Sequence, residues 1–129
     1  MRLTAPVALG TLVAASLASV APHHRLHRPP IPLARSLTVD EREWTVTPSQ
    51  TVVAAGVITF YVYDRGQDAH NLTIRGPGGI RGVIWLQSGG SGKIVAHLRP
   101  GRYLLYCSMF AGTPQSHQMR GMQATLTVR

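Results

Sequence analysis

From Ser36 onward the chain consists of short segments rich in Val, Ile, Thr and Tyr, separated by turns that contain Gly, Pro and Asp. About seven such segments recur at intervals of roughly 8 to 12 residues, and none of convincing length has the apolar period of a helix. In order they are SLTVDEREWTVT, VITFYVYD, HNLTIR, GVIWLQ, KIVAHL, RYLLYC and QATLTVR. This spacing predicts an all-β domain, a Greek-key antiparallel β-sandwich or barrel.

The N-terminal residues predict an exported protein. Residues 1–21 hold one Arg, then an uncharged run rich in Ala and Val with small residues near its end, which is typical of a cleaved signal peptide. The alternative is an uncleaved N-terminal anchor, the one case in which we expect membrane contact. Residues 22–35, rich in Pro, His and Arg, predict an extended linker. We therefore expect a domain at 36–129 that is periplasmic, on the cell surface or secreted.

The formal net charge of the chain is +8 at pH 7, and nearly all of its basic residues are arginines. Export argues against a nucleic-acid partner despite this charge. Such a field suits an acidic protein partner or an anionic cell surface. The alternative is an arginine-rich surface that is simply solvated.

Cys107 is the single cysteine of the chain, so it cannot form an internal disulfide even in an oxidising compartment. It is an ordinary buried residue, part of an intermolecular crosslink, or a thiol with a chemical function. After the turn at Pro100 and Gly101, the period of two places Tyr103, Leu105 and Cys107 on the inward face of a strand. Tyr103 also suits a tyrosine corner, in which its hydroxyl binds back to the turn.

Four residues with metal-binding side chains stand at the ends of predicted strands or in the loop between them: His70, Cys107, His117 and Met122. One end of a sandwich can gather them, and a thiolate, two imidazoles and a thioether are the ligand set of a mononuclear blue copper site. Each also has an ordinary interpretation, as a buried thiol, a solvent-facing strand end, loop surface or core packing. His97 has no partner in any motif, and we expect it at the surface.

The segments GQDAHNL (66–72), PGRYLLYCS (100–108) and HQMRGM (117–122), in this order, resemble the cupredoxin family of small blue-copper proteins. The similarity covers roughly residues 37–129. It implies one copper ion, cycling between Cu(I) and Cu(II), with the ligands His70, Cys107, His117 and Met122. It also implies a hydrogen bond between Asn71 and Ser108 that joins the two ligand-bearing strands and tunes the sulfur.

The resemblance implies an electron carrier between redox partner proteins rather than an enzyme. The chain has no His-x-His pair for a second copper centre, and a binuclear purple copper site needs two cysteines. One alternative is a copper-binding or copper-delivery protein, in which the His-rich residues 23–27 and surface Met109 and Met119 pass Cu(I) along. The other is a small copper enzyme with an open coordination position, if Met122 is not a ligand.

The loop at 108–116, SMFAGTPQS, predicts where a redox partner docks. We expect His117 to reach the surface through this loop, because an imidazole edge at the protein boundary is an exit for an electron. Transient redox complexes have small contacts, which suits an apolar patch around that edge. Its members would be Met109, Phe110, Ala111 and Pro114, and Arg120 is the arginine closest to it in sequence.

Overall fold

The computed structural model describes residues 32–129, so the predicted signal peptide and linker residues 22–31 lie outside the described residues. The described part contains nine strands and no helix. The strands are β1 (Ser36–Arg42), β2 (Thr45–Pro48), β3 (Val52–Val53), β4 (Gly56–Asp64), β5 (His70–Gly76), β6 (Gly79–Leu86), β7 (Ser91–Leu98), β8 (Gly101–Tyr106) and β9 (Gln123–Val128). Accordingly, no helix within 32–129 is long and apolar enough to cross a membrane.

The strands form two sheets, with the orders β2-β1-β4-β7 and β3-β9-β8-β5-β6. The predicted all-β sandwich is confirmed. Both sheets are mixed, however, because β1 pairs with β4 and β3 pairs with β9 in parallel. Alternation of apolar residues reports which face of a strand is buried but not the direction of its neighbour, so these two parallel pairs could not be predicted.

The core lies between the sheets and follows the period of two. In β4, Ile58, Phe60 and Val62 are buried, whereas Val57 and Tyr61 face solvent. Other fully buried apolar side chains are Val39, Val53, Leu72, Ile74, Leu98, Leu105, Met122 and Leu126. This apolar burial is the main source of stability for the sandwich. His97 is exposed on β7, as expected.

The chain has more strands than the sequence predicted. The segment SLTVDEREWTVT is two antiparallel strands, β1 and β2, joined by a tight turn at Glu43 and Trp44. The prediction of one strand was wrong because this turn contains none of the Gly, Asn, Asp or Pro residues that mark most hairpins. The turn brings Glu43 and Trp44 to the end of the sandwich that holds the candidate ligands.

The tyrosine corner predicted at Tyr103 is present. Its hydroxyl donates a hydrogen bond of 3.0 Å to the carbonyl of Arg99, across the turn before β8. Gly76 lies directly against the Tyr103 ring, where an added Cβ would come within 2.3 Å of two ring carbons. Only glycine therefore permits this packing, which anchors the start of β8.

The direction of β8 explains why the candidate ligands meet. β8 is antiparallel to both of its neighbours, β9 and β5, so its last residues lie beside the first residues of each. Cys107 directly follows β8, His70 begins β5, and Met122 directly precedes β9. One end of the five-stranded sheet thus collects three of the four residues, and the loop between β8 and β9 supplies His117.

Two acidic side chains are buried beneath this end. Glu41 and Asp64 are partners in the register of β1 and β4. Neither carboxylate oxygen of Glu41 has a hydrogen-bond partner among the described residues, and Oδ2 of Asp64 has none either. Burial first, and the neighbouring Asp64 second, raise the pKa of Glu41 to about 8. Glu41 is therefore protonated in the folded chain at neutral pH.

Candidate metal centre

His70, Cys107 and His117 form a compact cluster of buried donor atoms. Their ligand atoms all lie within 4.8 Å of one another. Nδ1 of His70 is 3.2 Å from Nδ1 of His117, which in turn is 3.5 Å from Sγ of Cys107. The three donors therefore face one small space from three different elements, the start of β5, the end of β8 and the following loop.

The thiol of Cys107 is completely buried. Its Sγ accepts a hydrogen bond of 3.4 Å from the backbone N–H of Asn71. Burial raises the pKa of the thiol and outweighs the backbone N–H groups of Asn71 and Met109, which lower it. The metal-free thiol therefore keeps its proton at neutral pH, and a metal ion that binds there must displace it.

Asn71 and Ser108 are joined as the sequence resemblance implied. The backbone N–H of Ser108 donates to Oδ1 of Asn71 at 2.7 Å, and Nδ2 of Asn71 donates to Oγ of Ser108 at 3.0 Å. The hydroxyl of Thr73 adds a bond of 3.3 Å to Oγ of Ser108. These bonds tie β5 to the residue after Cys107, so the positions of His70 and Cys107 are coupled.

His117 is not at the surface, contrary to the expectation from the sequence. It is only 4% exposed, and its ring packs against Trp44 edge-on at 5.0 Å and against Phe110 at 5.3 Å. The reason is that both aromatic rings cover the imidazole. Burial first, and His70 second, lower the pKa of His117, so its imidazole is neutral and free to bind a metal.

A hollow of about 300 Å³ opens beside His117. It is lined by Asp68, Ala69, Met109, Phe110 and His117. Of the apolar patch predicted in the loop, Phe110, Ala111 and Pro114 are exposed. Met109 is instead partly buried and packs against the core. The hollow therefore brings open space close to the His117 ring, which itself remains buried.

Met122 is completely buried and belongs to the core cluster. Its backbone N–H donates to the carbonyl of His117 and its carbonyl accepts from the N–H of Cys107, both at 3.1 Å. Its main chain thus binds the main chains of two candidate ligands. These backbone contacts place Met122 next to the cluster, and its role as a fourth ligand stays a prediction.

Glu43 is a site residue that the sequence did not reveal. Its Oε1 lies 3.0 Å from Nε2 of His70 and accepts the backbone N–H groups of Gln67 and Asp68 at 2.9 and 2.8 Å. The hydrogen bond from the Asp68 N–H has the largest effect on the pKa of Glu43, and together with weaker effects of His70 and Gln67 it lowers this pKa to about 2. Glu43 is therefore a carboxylate, and an acidic residue within an alternating segment carries no sign of such a role.

Trp44 is the second residue that the sequence missed. It packs against His117, and the guanidinium of Arg120 lies over its indole ring, 4.4 Å from the centroid. Arg120 was expected near the metal edge, and it reaches this edge through Trp44. Phe110, at 54% exposed, and Met119, at 80%, add apolar surface around the same edge.

Comparison with solved structures identifies the fold. The chain is similar to auracyanin from Roseiflexus castenholzii, with 19% identity, a TM-score of 0.60, and coverage of 75% of this chain and 98% of that one. Auracyanin A, a "blue" copper protein from Chloroflexus aurantiacus, matches with 15% identity and a TM-score of 0.51, and the match covers 73% of this chain and 99% of auracyanin A. A chain of a heme-copper terminal oxidase matches with 18% identity and a TM-score of 0.55, and the match covers 73% of this chain and 63% of the oxidase chain.

The resemblance to cupredoxins is thus confirmed in the structure, and the chain has the cupredoxin fold. No protein-family model and no curated protein sequence matches the chain. The donor set suits copper: a thiol that becomes a soft thiolate and two imidazoles bind this metal in both oxidation states. The cluster of His70, Cys107 and His117 fits copper binding.

Proposed function

We propose that this protein is an exported mononuclear blue copper protein that carries single electrons between redox partner proteins. The observation that carries the proposal is the buried cluster of two Nδ1 atoms and one Sγ at the end of a cupredoxin fold. His70, Cys107 and His117 are the proposed ligands, with Met122 as a weak fourth. Copper bound there would supply a one-electron couple.

The protein's own groups prepare the cluster for this role. Burial keeps water away from the Cys107 thiol, and the bonds between Asn71 and Ser108 hold its strand end in place. The neutral His117 imidazole needs no deprotonation before it binds. Its aromatic cover of Trp44 and Phe110 leaves it close to the surface but out of water. A cluster held by so many packed contacts changes little in shape when the charge on a bound ion changes.

Two other functions use the same cluster. A small copper enzyme needs room for a substrate, and the hollow beside His117, together with the similarity to a chain of a terminal oxidase, supports this candidate. A copper-delivery protein is supported by Met119, which is exposed next to the site. Electron transfer is favoured over both because all three donor atoms are buried, which restricts access of substrate or of an acceptor protein's ligands.

Replacement of Phe110 by Asp is expected to slow electron exchange with partner proteins by roughly tenfold at every salt concentration. Phe110 is exposed and its ring packs against His117, so a charge there disrupts an apolar contact next to the imidazole through which we expect the electron to leave. Arg120→Glu should slow exchange mainly at low ionic strength, because steering of an acidic partner is screened by salt. Stopped-flow reduction of the copper-loaded protein by an acidic redox protein across a salt series measures both.

Arg99→Glu is the matched control, since it makes the same charge change at an exposed position beyond the opposite end of β8. It should slow exchange less than Arg120→Glu. Unchanged rates in both Phe110→Asp and Arg120→Glu, with a normal copper spectrum, would show that electrons leave by another face. A copper-loaded protein that cannot be cycled reversibly between two oxidation states would contradict the carrier function itself.

Met122→Gln tests the weak fourth ligand. The variant is expected to retain copper, change the visible spectrum modestly and lower the midpoint potential, because an oxygen donor favours Cu(II) more than a thioether does. Voltammetry and absorption spectroscopy measure these changes. Met119→Gln is the control, because Met119 is 80% exposed and should have no effect. A potential that does not change in Met122→Gln would assign Met122 to core packing and favour the open-site enzyme.

A further inference from the structure

The side chain of Glu43 connects a candidate metal ligand to the loop that precedes it. One oxygen, Oε1, accepts from the backbone N–H groups of Gln67 and Asp68 and lies 3.0 Å from Nε2 of His70. The His70 ring is fully buried, whereas the Glu43 side chain is 24% exposed. The carboxylate therefore sits at the boundary of the site, with its bonded oxygen turned inward.

We propose that Glu43 is a positioning residue that holds His70 in the tautomer that binds metal and uses its negative charge to favour Cu(II) over Cu(I). The proposal rests on the copper site proposed above. It makes Glu43, whose hydrogen bonds within residues 32–129 reach no candidate donor other than His70, a determinant of the reduction potential of this protein.

The tautomer follows from the hydrogen bond. A carboxylate oxygen can only accept, so Nε2 of His70 must carry the proton that it donates to Glu43. In the neutral ring the other nitrogen, Nδ1, then carries the lone pair, and this atom is the one that faces His117 and the Cys107 side. A ligand histidine whose second nitrogen donates to a carboxylate is also a more basic ligand.

The loop at 66–69 is shaped around the same carboxylate. An added Cβ on Gly66 would lie 2.5 Å from Oε1 of Glu43 and 2.8 Å from Nε2 of His70, so no larger residue fits there without moving one of these groups. The carbonyl of Gly66 also accepts a bond of 2.7 Å from the Ser88 hydroxyl, which fixes the loop on its other side. The glycine of the GQDAHNL segment thus leaves space for the contact between Glu43 and His70.

The negative charge of Glu43 gives this residue a role beyond orienting the His70 ring. A neutral oxygen in the same place would orient the ring equally well. A carboxylate, in addition, lowers the energy of the more positive ion at the site, and it acts through His70, whose ring is fully buried. The expected consequence is a lower midpoint potential than a neutral acceptor would produce.

Glu43→Gln is the main test, because the amide keeps the size and an accepting oxygen but removes the charge. Cu(II) affinity is expected to fall by about 10- to 100-fold, the usual range for such partners. If Cu(I) affinity is unchanged, the midpoint potential rises by about 60 to 120 mV, at about 59 mV per tenfold change. Competition titrations with each oxidation state and voltammetry measure both quantities.

Asp68→Asn is the matched control. It removes one negative charge from the same loop, at an exposed side chain that does not bind His70. The shift in midpoint potential of Asp68→Asn should be clearly smaller than that of Glu43→Gln. Equal shifts in the two variants would mean that charge at a distance, and not the bond to His70, sets the potential, and would overturn the proposal.

The metal-free protein provides a test that does not depend on copper. Nitrogen-15 NMR of the imidazole should show His70 as the Nε2–H tautomer in the wild type. Glu43→Ala, which removes the acceptor, should lose this preference. Retention of the same tautomer in Glu43→Ala would contradict the positioning role. If instead the wild-type protein bound no copper while its His70 behaved as expected, the copper function would fail and the orienting role of Glu43 would stand.

Discussion

Cys107→Ser is expected to abolish the intense visible absorption of the Cu(II)-loaded protein, a loss of essentially the whole band. Such a band arises when charge moves from a thiolate to Cu(II), and Cys107 is the single cysteine in the chain. A serine hydroxyl of nearly the same size cannot supply a thiolate donor. Absorption spectroscopy of wild type and variant, each titrated with Cu(II), measures the change.

The fold should survive this substitution. Cys107 lies at a strand end held by the Asn71 and Ser108 bonds, and the added cost of a buried hydroxyl is about 1 to 3 kcal/mol. Circular dichroism of the metal-free variant checks this. Ser108→Ala is the matched control, because it alters the neighbouring residue, leaves the thiol in place and should keep the band at a shifted wavelength. A Cys107→Ser protein with undiminished colour would remove Cys107 from the site.

Glu41→Gln is expected to remove a large pH dependence of stability. The pKa of Glu41 is about 8 in the folded chain, against an ordinary value of 4.5. Between these two values the folded state binds a proton that the unfolded state has lost, so the free energy of unfolding falls as pH rises. The stabilisation from this proton is fully present below pH 4.5 and is lost progressively up to about pH 8. At about 1.4 kcal/mol per pKa unit, a loss of several kcal/mol is expected over this range.

Urea unfolding of the metal-free protein at pH 5, 7 and 9 measures this dependence. In Glu41→Gln the slope with pH should be much flatter, whatever the variant's absolute stability. Asp40→Asn is the control, because Asp40 is the neighbouring acid on β1 but forms a partly exposed ion pair with Arg65. Its slope should equal that of the wild type. An equal slope in Glu41→Gln would show that Glu41 is ionised in the folded chain.

The buried pair also bears on the site. Both Glu41 and Asp64 raise the pKa of the Cys107 thiol, after burial itself, so the acids beneath the site act on the proposed sulfur ligand. Protonation of Glu41 at neutral pH keeps the negative charge under the thiol low. The strand pairing that places Glu41 beside Asp64 is one of the two parallel contacts that the sequence pattern did not predict.

The sequence predicted the features that depend on residues close together in the chain. The alternation in β4 follows from a half-buried strand, and the same period placed Cys107 on the inward face after Tyr103 and Leu105. The tyrosine corner depends on residues only four apart, Arg99 and Tyr103. The order of the three cupredoxin-like segments pointed to His70, Cys107 and His117, which the structure brings together.

The tertiary structure alone decided the surroundings of those residues. Glu43 meets His70 across 27 residues, and it does so because a turn without the usual turn residues directs the start of β2 over the sheet end. The burial of His117 depends on Trp44 and Phe110, whose rings reach it from separate loops. The physical reason is one of range: periodicity and turn chemistry act over a few residues, whereas the side chains that orient and cover a site come together only through the order and direction of the strands.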